Sequence, residues 1–504
     1  PDVYVHDRPA SNELSLIYFP TLDTYNDTGI NTEARAGFAG RLNYDYDQKY
    51  LLGLSARYDG SWKFPPNSRW GFFPSVSGGW RISQENFWKN SNVGNVVSDL
   101  KLRASYGLLG DDDLDDWQYY AFDYLSGYTY NNGGSALDGK YIVGANPRGL
   151  AETNLSWIRA HMFDVGLDFS LFGGKLTGAL DYFRRKRSGL PASRNDVLIP
   201  QETGFSLPYE NLNSDVHTGM DGSIAWSSSI NQVKYSIGGN FTYARQIDWN
   251  QYKPRFGNSW DQYRNSIDQR YAFLNWGLHA LGQFQSWEEI ANHPVDNDGQ
   301  GNTTLRPGDI KYEDTNGDGT INDLDMRPIG YRERELPYLN FALNFAVQYK
   351  GFDLAADFTG SGFASFMPGF EAISPFHDGG NNPAYYMNNQ WMLSDITDPN
   401  SELIPGKYPT LIRGNQSHSN YRRSDFWLLN VNYIKLRNLQ FGYTFPKKWS
   451  DKIGLQNMRV YTMMQNLFSI DNLGDINIDP ELSSDSQLQY PTNRVFNLGV
   501  NITF

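Results

Sequence analysis

The sequence predicts an all-β fold: an antiparallel, membrane-spanning β-barrel. Three observations carry this. Apolar and polar residues alternate strictly in segments of about ten residues, the length a tilted strand needs to cross a bilayer. Connections between these segments are of two kinds, very short and very long. Tyr and Trp recur near segment ends, as an interfacial girdle requires.

The clearest segment closes the chain. Phe496, Leu498, Val500, Ile502 and Phe504 take one face, and Asn497, Gly499, Asn501 and Thr503 the other. A second runs from Leu339 through Phe341, Leu343, Phe345 and Val347 to Tyr349, with Asn340, Asn344 and Gln348 opposite. Near the start, Ala34, Ala36, Phe38, Leu42, Tyr44 and Tyr46 oppose Glu33, Arg35, Arg41, Asn43 and Asp45. Leu52, Leu54, Ala56 and Tyr58 repeat the pattern after a turn at Asp47 and Gln48. Similar runs span Leu100–Leu108, Phe163–Leu171, Leu176–Tyr182, Val216–Ile224, Val233–Tyr243 and Phe352–Phe358, for about fourteen strands. Around Arg437 the alternation slips by one residue, as a β-bulge would make it.

Alternation alone also fits a soluble sandwich. The connections decide between them. Phe172–Lys175 and Lys350–Gly351 are tight turns, whereas about 110–155, 245–276 and 360–425 are long loops. Loops of that length are anomalous in a compact soluble domain but ordinary on the outer side of a membrane barrel. Tyr44, Tyr46, Tyr50, Tyr58, Trp80 and Tyr106 supply the girdle. Mean hydropathy is low because only alternate residues of a barrel strand meet lipid.

Composition narrows the function. The chain has 504 residues, with 56 acidic against 43 basic and a formal net charge of −13, which speaks against a nucleic-acid partner. It has no Cys, so neither disulfides nor thiolate metal sites arise. No Gly-x-Ser-x-Gly elbow or His-Glu-x-x-His helix occurs, and the seven His have no ligand spacing, so no enzyme is expected. Gly134 to Tyr141 is nearly a phosphate loop, but Tyr141 stands where the metal-binding hydroxyl belongs.

The sharpest local motif is Asp314, Asn316, Asp318, Gly319, Thr320, Asn322 and Asp325, the spacing of a calcium loop. Alternate oxygens converge on a hard cation, Gly319 permits the turn, Thr320 offers its carbonyl and Asp325 stands where such loops usually carry Glu. A structural Ca²⁺ is therefore expected over 314–325. Asp296 to Gly299 lacks the later ligands and reads as a turn. The long loops carry Trp117, Tyr119, Tyr120, Trp249, Trp260, Tyr385 and Trp391, flat rings suited to a sugar face, a peptide side chain or a lid protein.

Several stretches resemble the SusC/RagA-like branch of TonB-dependent outer-membrane transporters. They are Arg57 to Ser83, including Pro65, Asn67, Arg69, Trp70, Phe72, Pro74 and Trp80; Asp99 to Gly107; Pro307 to Tyr312 before the acidic loop; Asn432 to Tyr443; and Arg459 to Tyr461 with Gln465 to Phe468. The resemblance implies the C-terminal portion of a barrel of roughly 22 strands. It also implies a plug domain and a TonB-contacting segment upstream of Pro1, outside this chain. A SusD-like surface lipoprotein is the implied partner, with TonB-dependent import of an oligosaccharide, or else a peptide, as the implied activity. Phe504 resembles the terminal aromatic read by the outer-membrane assembly machinery. The competing readings are a passive outer-membrane pore and a secreted calcium-binding β protein.

Overall fold

The computed structural model describes residues 34–113, 124–147, 149–332, 336–369, 372–412, 417–476, 478–481 and 492–504. Its strands in chain order begin with β1 (Arg35–Tyr46), β2 (Tyr50–Ser61), β3 (Trp70–Arg81) and β4 (Val97–Asp111). There follow β5 (Tyr128–Leu137), β6 (Lys140–Pro147), β7 (Ile158–Leu171), β8 (Leu176–Ser193), β9 (Tyr209–Ile230) and β10 (Val233–Asn250). Short strands β11 (Arg270–Tyr271), β12 (Asn275–Gly277), β13 (Ala280–Gln283), β14 (Ile310–Tyr312) and β15 (Arg327–Gly330) lie in one connection. Then come β16 (Leu339–Tyr349), β17 (Phe352–Phe366), β18 (Met392–Leu393), β19 (Leu403–Ile404), β20 (Leu429–Thr444), β21 (Asn457–Asp471) and β22 (Val495–Thr503). No described helix is long and apolar enough to cross a membrane, which says nothing of strands.

The chain forms two compact units, one of residues 1–169, 181–219 and 246–271, the other of 170–180, 220–245 and 272–504. In the first, neighbouring strands follow the order β1, β2, β3, β4, β7, β8, β9, β10; in the second, β8, β9, β10, β16, β17, β20, β21, β22. The registered strand pairs are antiparallel, and each long strand lies beside the next long strand of the chain. This up-and-down order is how a chain avoids unpaired backbone polar groups in lipid.

Register sorts the side chains. In the first unit Leu42, Leu54, Val76 and Tyr106 form one row across four strands, and Tyr46, Tyr50, Trp80 and Leu102 another. Between these rows Asn43, Gly53, Ser77 and Ser105 face the other way. In the second unit Ile237, Phe345, Ala356, Leu439, Met464 and Phe496 form an apolar row. Its polar counterpart runs through Asn344, Asp357 and Asn438, and Asn344 donates to Asp357 at 2.8 Å. Large apolar side chains on this face are exposed, Leu42 by 61% and Phe38 by 72% in the first unit, Phe496 by 65% and Leu498 by 81% in the second, so the face needs lipid rather than water.

The opposite face neutralises its own charges. Arg103 donates to Asp181 at 2.6 Å and Asp168 at 3.1 Å, and Arg459 to Asp353 at 3.0 Å. A wet lumen tolerates such pairs, whereas lipid would not.

The bulge expected at Arg437 is present: register shifts between Leu436 and Asn438 against both β17 and β21. Turns and loops also segregate. In the first unit residues 47–49 and 82–96 join strands at one end and 62–69 and 194–208 at the other; in the second, 172–175, 231–232, 350–351 and 445–456 join strands at one end, and the described parts of the β10–β16, β17–β20 and β21–β22 connections lie at the other. Gly134 to Tyr141 belongs to the β5–β6 hairpin, with Asp138 and Gly139 at positive φ in its turn, and is no phosphate loop.

Candidate functional site

The loop end is built, not merely connected. In the second unit, residues 272–332 and the described residues of 367–428 share a core of Leu278, Ile310, Tyr312, Ile321, Tyr386 and Trp427 with their neighbours. Its centre is a ring stack, Tyr386 on Tyr408 at 5.1 Å and Tyr408 on Trp427 at 6.0 Å. Beside it lies a buried polar knot. Asn420 donates to Asp309 at 2.7 Å and accepts from the Ile310 N–H at 2.9 Å, and both side chains are fully buried. Burial pushes the Asp309 carboxyl up, against the pull of Asn420 and His418, and pushes His418 down. The sequence held one clue to this knot, Asp309 within the Pro307–Tyr312 stretch, but nothing that pointed to Asn420.

In the first unit, Phe64, Phe73, Leu155, Trp157, Ile158 and Leu190 form a second core. Phe64 and Phe73 flank Trp157 at 5.4 and 5.2 Å.

The acidic loop 314–325 folds around its own N–H groups. Asp314 accepts from Gly317 at 2.7 Å and Gly319 at 2.8 Å, and Asp318 from Thr320 at 2.9 Å. Asn316 accepts from the Asp318 N–H at 2.8 Å. Gly319 takes φ +82, a left-handed turn that lets its N–H reach Asp314. The Thr320 N–H and the Asn316 amide hold Asp318 below its ordinary range. Asp325 is fully buried, and its two oxygens accept from Thr315 at 3.0 Å and Asn322 at 2.8 Å, tying the loop's ends together. Oxygens of Asp314, Asn316, Asp318 and the Thr320 carbonyl thus line one short turn. Their chemistry suits a hard, oxygen-seeking cation, although the described residues form no cluster of three or more His, Cys, Asp or Glu side chains able to hold a metal.

Asp296 to Gly299 is the turn the sequence indicated, and it braces this loop. Asp296 accepts from the N–H groups of Asp298, Gly299 and Gln300. Asp298 accepts from Gln300, Asn302 and both donors of Thr304 at 2.6–2.9 Å.

The loop aromatics divide. Trp391 is buried; its indole donates to Gln283 at 3.2 Å and leaves no room for a Cβ at Gly308, which has φ +96. Tyr385 is half-buried and donates to the Ala372 carbonyl. Both therefore serve the loop core. Trp260 lies on the helix Ser259–Asn265, 5.5 Å from Tyr263. Trp249 stands on β10 beside Arg184 and Lys186. Trp117, Tyr119 and Tyr120 lie outside the described residues. Phe504 follows β22 and is 82% exposed.

An exposed apolar face, a charge-paired opposite face and a folded loop end define part of an outer-membrane β-barrel wall. The chain belongs to the TonB-dependent receptor family: the family's β-barrel model matches residues 4–348. Members of this family are outer-membrane proteins of Gram-negative bacteria and transporters, not enzymes. Among its relatives, TonB-dependent receptor P39 of Formosa agariphila is 28% identical over 531 aligned residues, covering 95% of this chain and 47% of the relative. TonB-dependent receptor SusC of Bacteroides thetaiotaomicron is 28% identical over 488 residues, covering 93% and 43%. A chain of the RagAB peptide importer in its closed-closed state shares the fold, with TM-score 0.68, 21% identity, and coverage of 94% and 48%. The chain spans a little under half the length of these relatives.

Proposed function

We propose that the protein carrying this chain imports an oligomeric nutrient across the outer membrane with energy delivered through TonB. An oligosaccharide is the favoured cargo and a peptide the alternative. A SusD-like lipoprotein caps the loop end in this reading, and TonB is engaged through the N-terminal region. The supporting observation is the asymmetry of the strand ends in the second unit: connections 231–232, 350–351 and 445–456 at one, and at the other two much longer connections folded around their own aromatic core. A passive pore needs no such superstructure. The likeness to a chain of the RagAB peptide importer supports an oligomeric cargo.

The test is uptake of labelled neutral oligosaccharides and size-matched peptides by cells with and without the gene, each with TonB intact or inactivated. Gene-dependent uptake that vanishes without TonB supports the proposal. Gene-dependent uptake that persists without TonB makes the protein a pore.

We infer also that the loop 314–325 takes a structural Ca²⁺ through Asp314, Asn316, Asp318, Thr320 and Asn322, with Asp325 closing the loop. Trp260, half-buried on its helix and outside the loop core, is taken for cargo or lid contact, and Phe504 as the assembly signal.

A further inference from the structure

Strand β8 changes character along one face. Leu180 and Tyr182 are exposed on it, while the alternate residues Asp181 and Arg187 turn inward and are neutralised by Arg103 and Asp215. Tyr182 marks the rim, its hydroxyl accepting from Thr218 at 3.1 Å. Beyond it the outward face continues as Arg184 and Lys186, both half-buried. The Arg184 guanidinium lies 5.6 Å and the Lys186 ammonium 5.7 Å from the centre of the same Trp249 ring. Two residues further, Ser188 donates to the carbonyl of Arg159, an exposed residue at the top of β7.

Depth follows from strand geometry. The short turn 172–175 places the start of β8 at the periplasmic side. At about 3.3 Å per residue and a 35–45° tilt, Arg184 and Lys186 stand about 20 and 25 Å above Leu176. That is the upper edge of an apolar band about 25 Å tall, the level of the outer-leaflet headgroups. An outward cation deeper than this would be costly, and at this level it meets polar headgroups.

Neither Arg184 nor Lys186 has a carboxylate partner among the described residues, although Arg103, Arg187, Lys435 and Arg459 on the inward face all have one. An aromatic face attracts each cation but does not cancel their mutual repulsion. In a chain of net charge −13, two outward cations sharing one ring at headgroup depth call for an anion from outside the chain. We propose that Arg184, Lys186 and Trp249 form a binding site for the phosphate of an outer-leaflet glycolipid. Arg184 supplies a fork matched to phosphate oxygens, Lys186 a point charge, and Trp249 an amphipathic ring beside the sugar-bearing headgroup. The proposal rests on membrane orientation alone and is independent of the cargo.

The experiment uses the full-length protein in mild detergent and reads the midpoint of heat-modifiable unfolding by gel shift. The probes are bisphosphorylated lipid A, the same lipid stripped of phosphate, and inorganic phosphate. Phosphorylated lipid A raises the midpoint by several degrees, and the other two probes do not. The variant Arg184→Gln with Lys186→Gln loses at least half of that shift while keeping the parent's midpoint in lipid-free detergent; Lys186→Arg retains it. If the double variant does not insert, Lys186→Gln alone is used, together with the parent at about 0.5 M salt, which must shrink the shift. An equal shift from dephosphorylated lipid, an equal shift from inorganic phosphate, or an undiminished shift in the charge variants overturns the proposal.

Discussion

Ile321 donates its N–H to the carbonyl of Asp296 at 2.8 Å, and the Asp296 N–H returns a bond to the Gly319 carbonyl at 2.9 Å. The acidic loop is therefore held from outside as well as from within. Ile321 itself is buried in the loop core, so this pair couples the loop's geometry to the Tyr386–Tyr408–Trp427 stack. Replacing Asp314 and Asp318 together by Ala should abolish Ca²⁺ binding measured by calorimetry. It should also speed protease cleavage within 314–325, with heat-modifiability of the barrel unchanged. In a Ca²⁺-soaked crystal, ligand oxygens should lie at about 2.3–2.6 Å. Full Ca²⁺ affinity in the double variant would refute the site.

The brace has its own pH dependence. Burial works against the Asp298 charge, but the Thr304 hydroxyl and the N–H groups of Thr304, Gln300 and Asn302 hold its carboxyl down at about 2. A depressed acid contributes stability above its unfolded value near 4, and that contribution is lost as pH falls toward 2. The protection of amides 300–304 against hydrogen exchange should thus fall between about pH 4 and 2. Asp298→Asn should remove that dependence and lower protection at pH 7. A variant matching the parent at both pH values would contradict this.

Lys435 is nearly buried on β20 and donates to Asp479 at 2.8 Å and Glu481 at 3.1 Å, while Arg437 at the bulge also binds Glu481. The pair of cations anchors the start of connection 472–494 to the sheet. Lys435→Met leaves carboxylates without their central partner and should weaken this anchorage by about 3–5 kcal/mol. Asp479→Asn, which leaves Glu481 in place, should cost less. Proteolysis within 472–481 measures both, and equal rates in Lys435→Met and parent would show that the cluster holds nothing.

What the sequence disclosed was what lipid enforces. From Leu339 to Tyr349 every second residue is apolar because one face meets hydrocarbon, and β16 matches that stretch residue for residue. Lipid does not police the strands above the membrane. There β8 runs on from Tyr182 to Ser193, through Arg184 to Arg187, where four successive cations hide any period of two. The bulge at Arg437 was visible because it breaks alternation inside the band. Trp391 was not readable as a core residue, because its cradle at Gly308 is remote in sequence and loops carry no period. The Asp309–Asn420 bond is equally remote. Packing among loops is set by which connections meet, and no local pattern records that.

The last strand separates the two faces most simply. Val500 lies opposite Val460, and Asn501 opposite Arg459, on β21. Val500 is 55% exposed on the apolar face shared with Leu498 and Ile502. A charge there meets hydrocarbon, so Val500→Lys should destabilise the inserted barrel by about 2–4 kcal/mol near the midplane. Asn501→Asp places its carboxylate across from the Arg459 guanidinium in the lumen and should change stability by less than about 1 kcal/mol. Asn497→Lys, opposite Met463 on the lumen side, should likewise be mild. Phe504→Ser tests the assembly signal separately: it should lower the fraction of synthesised protein that inserts, while the barrel that does insert keeps the parent's unfolding midpoint. The measurement is heat-modifiable against total protein for each variant, followed by denaturant unfolding of the inserted fraction. Equal tolerance of Val500→Lys and Asn497→Lys would mean that the apolar face of β22 does not meet lipid.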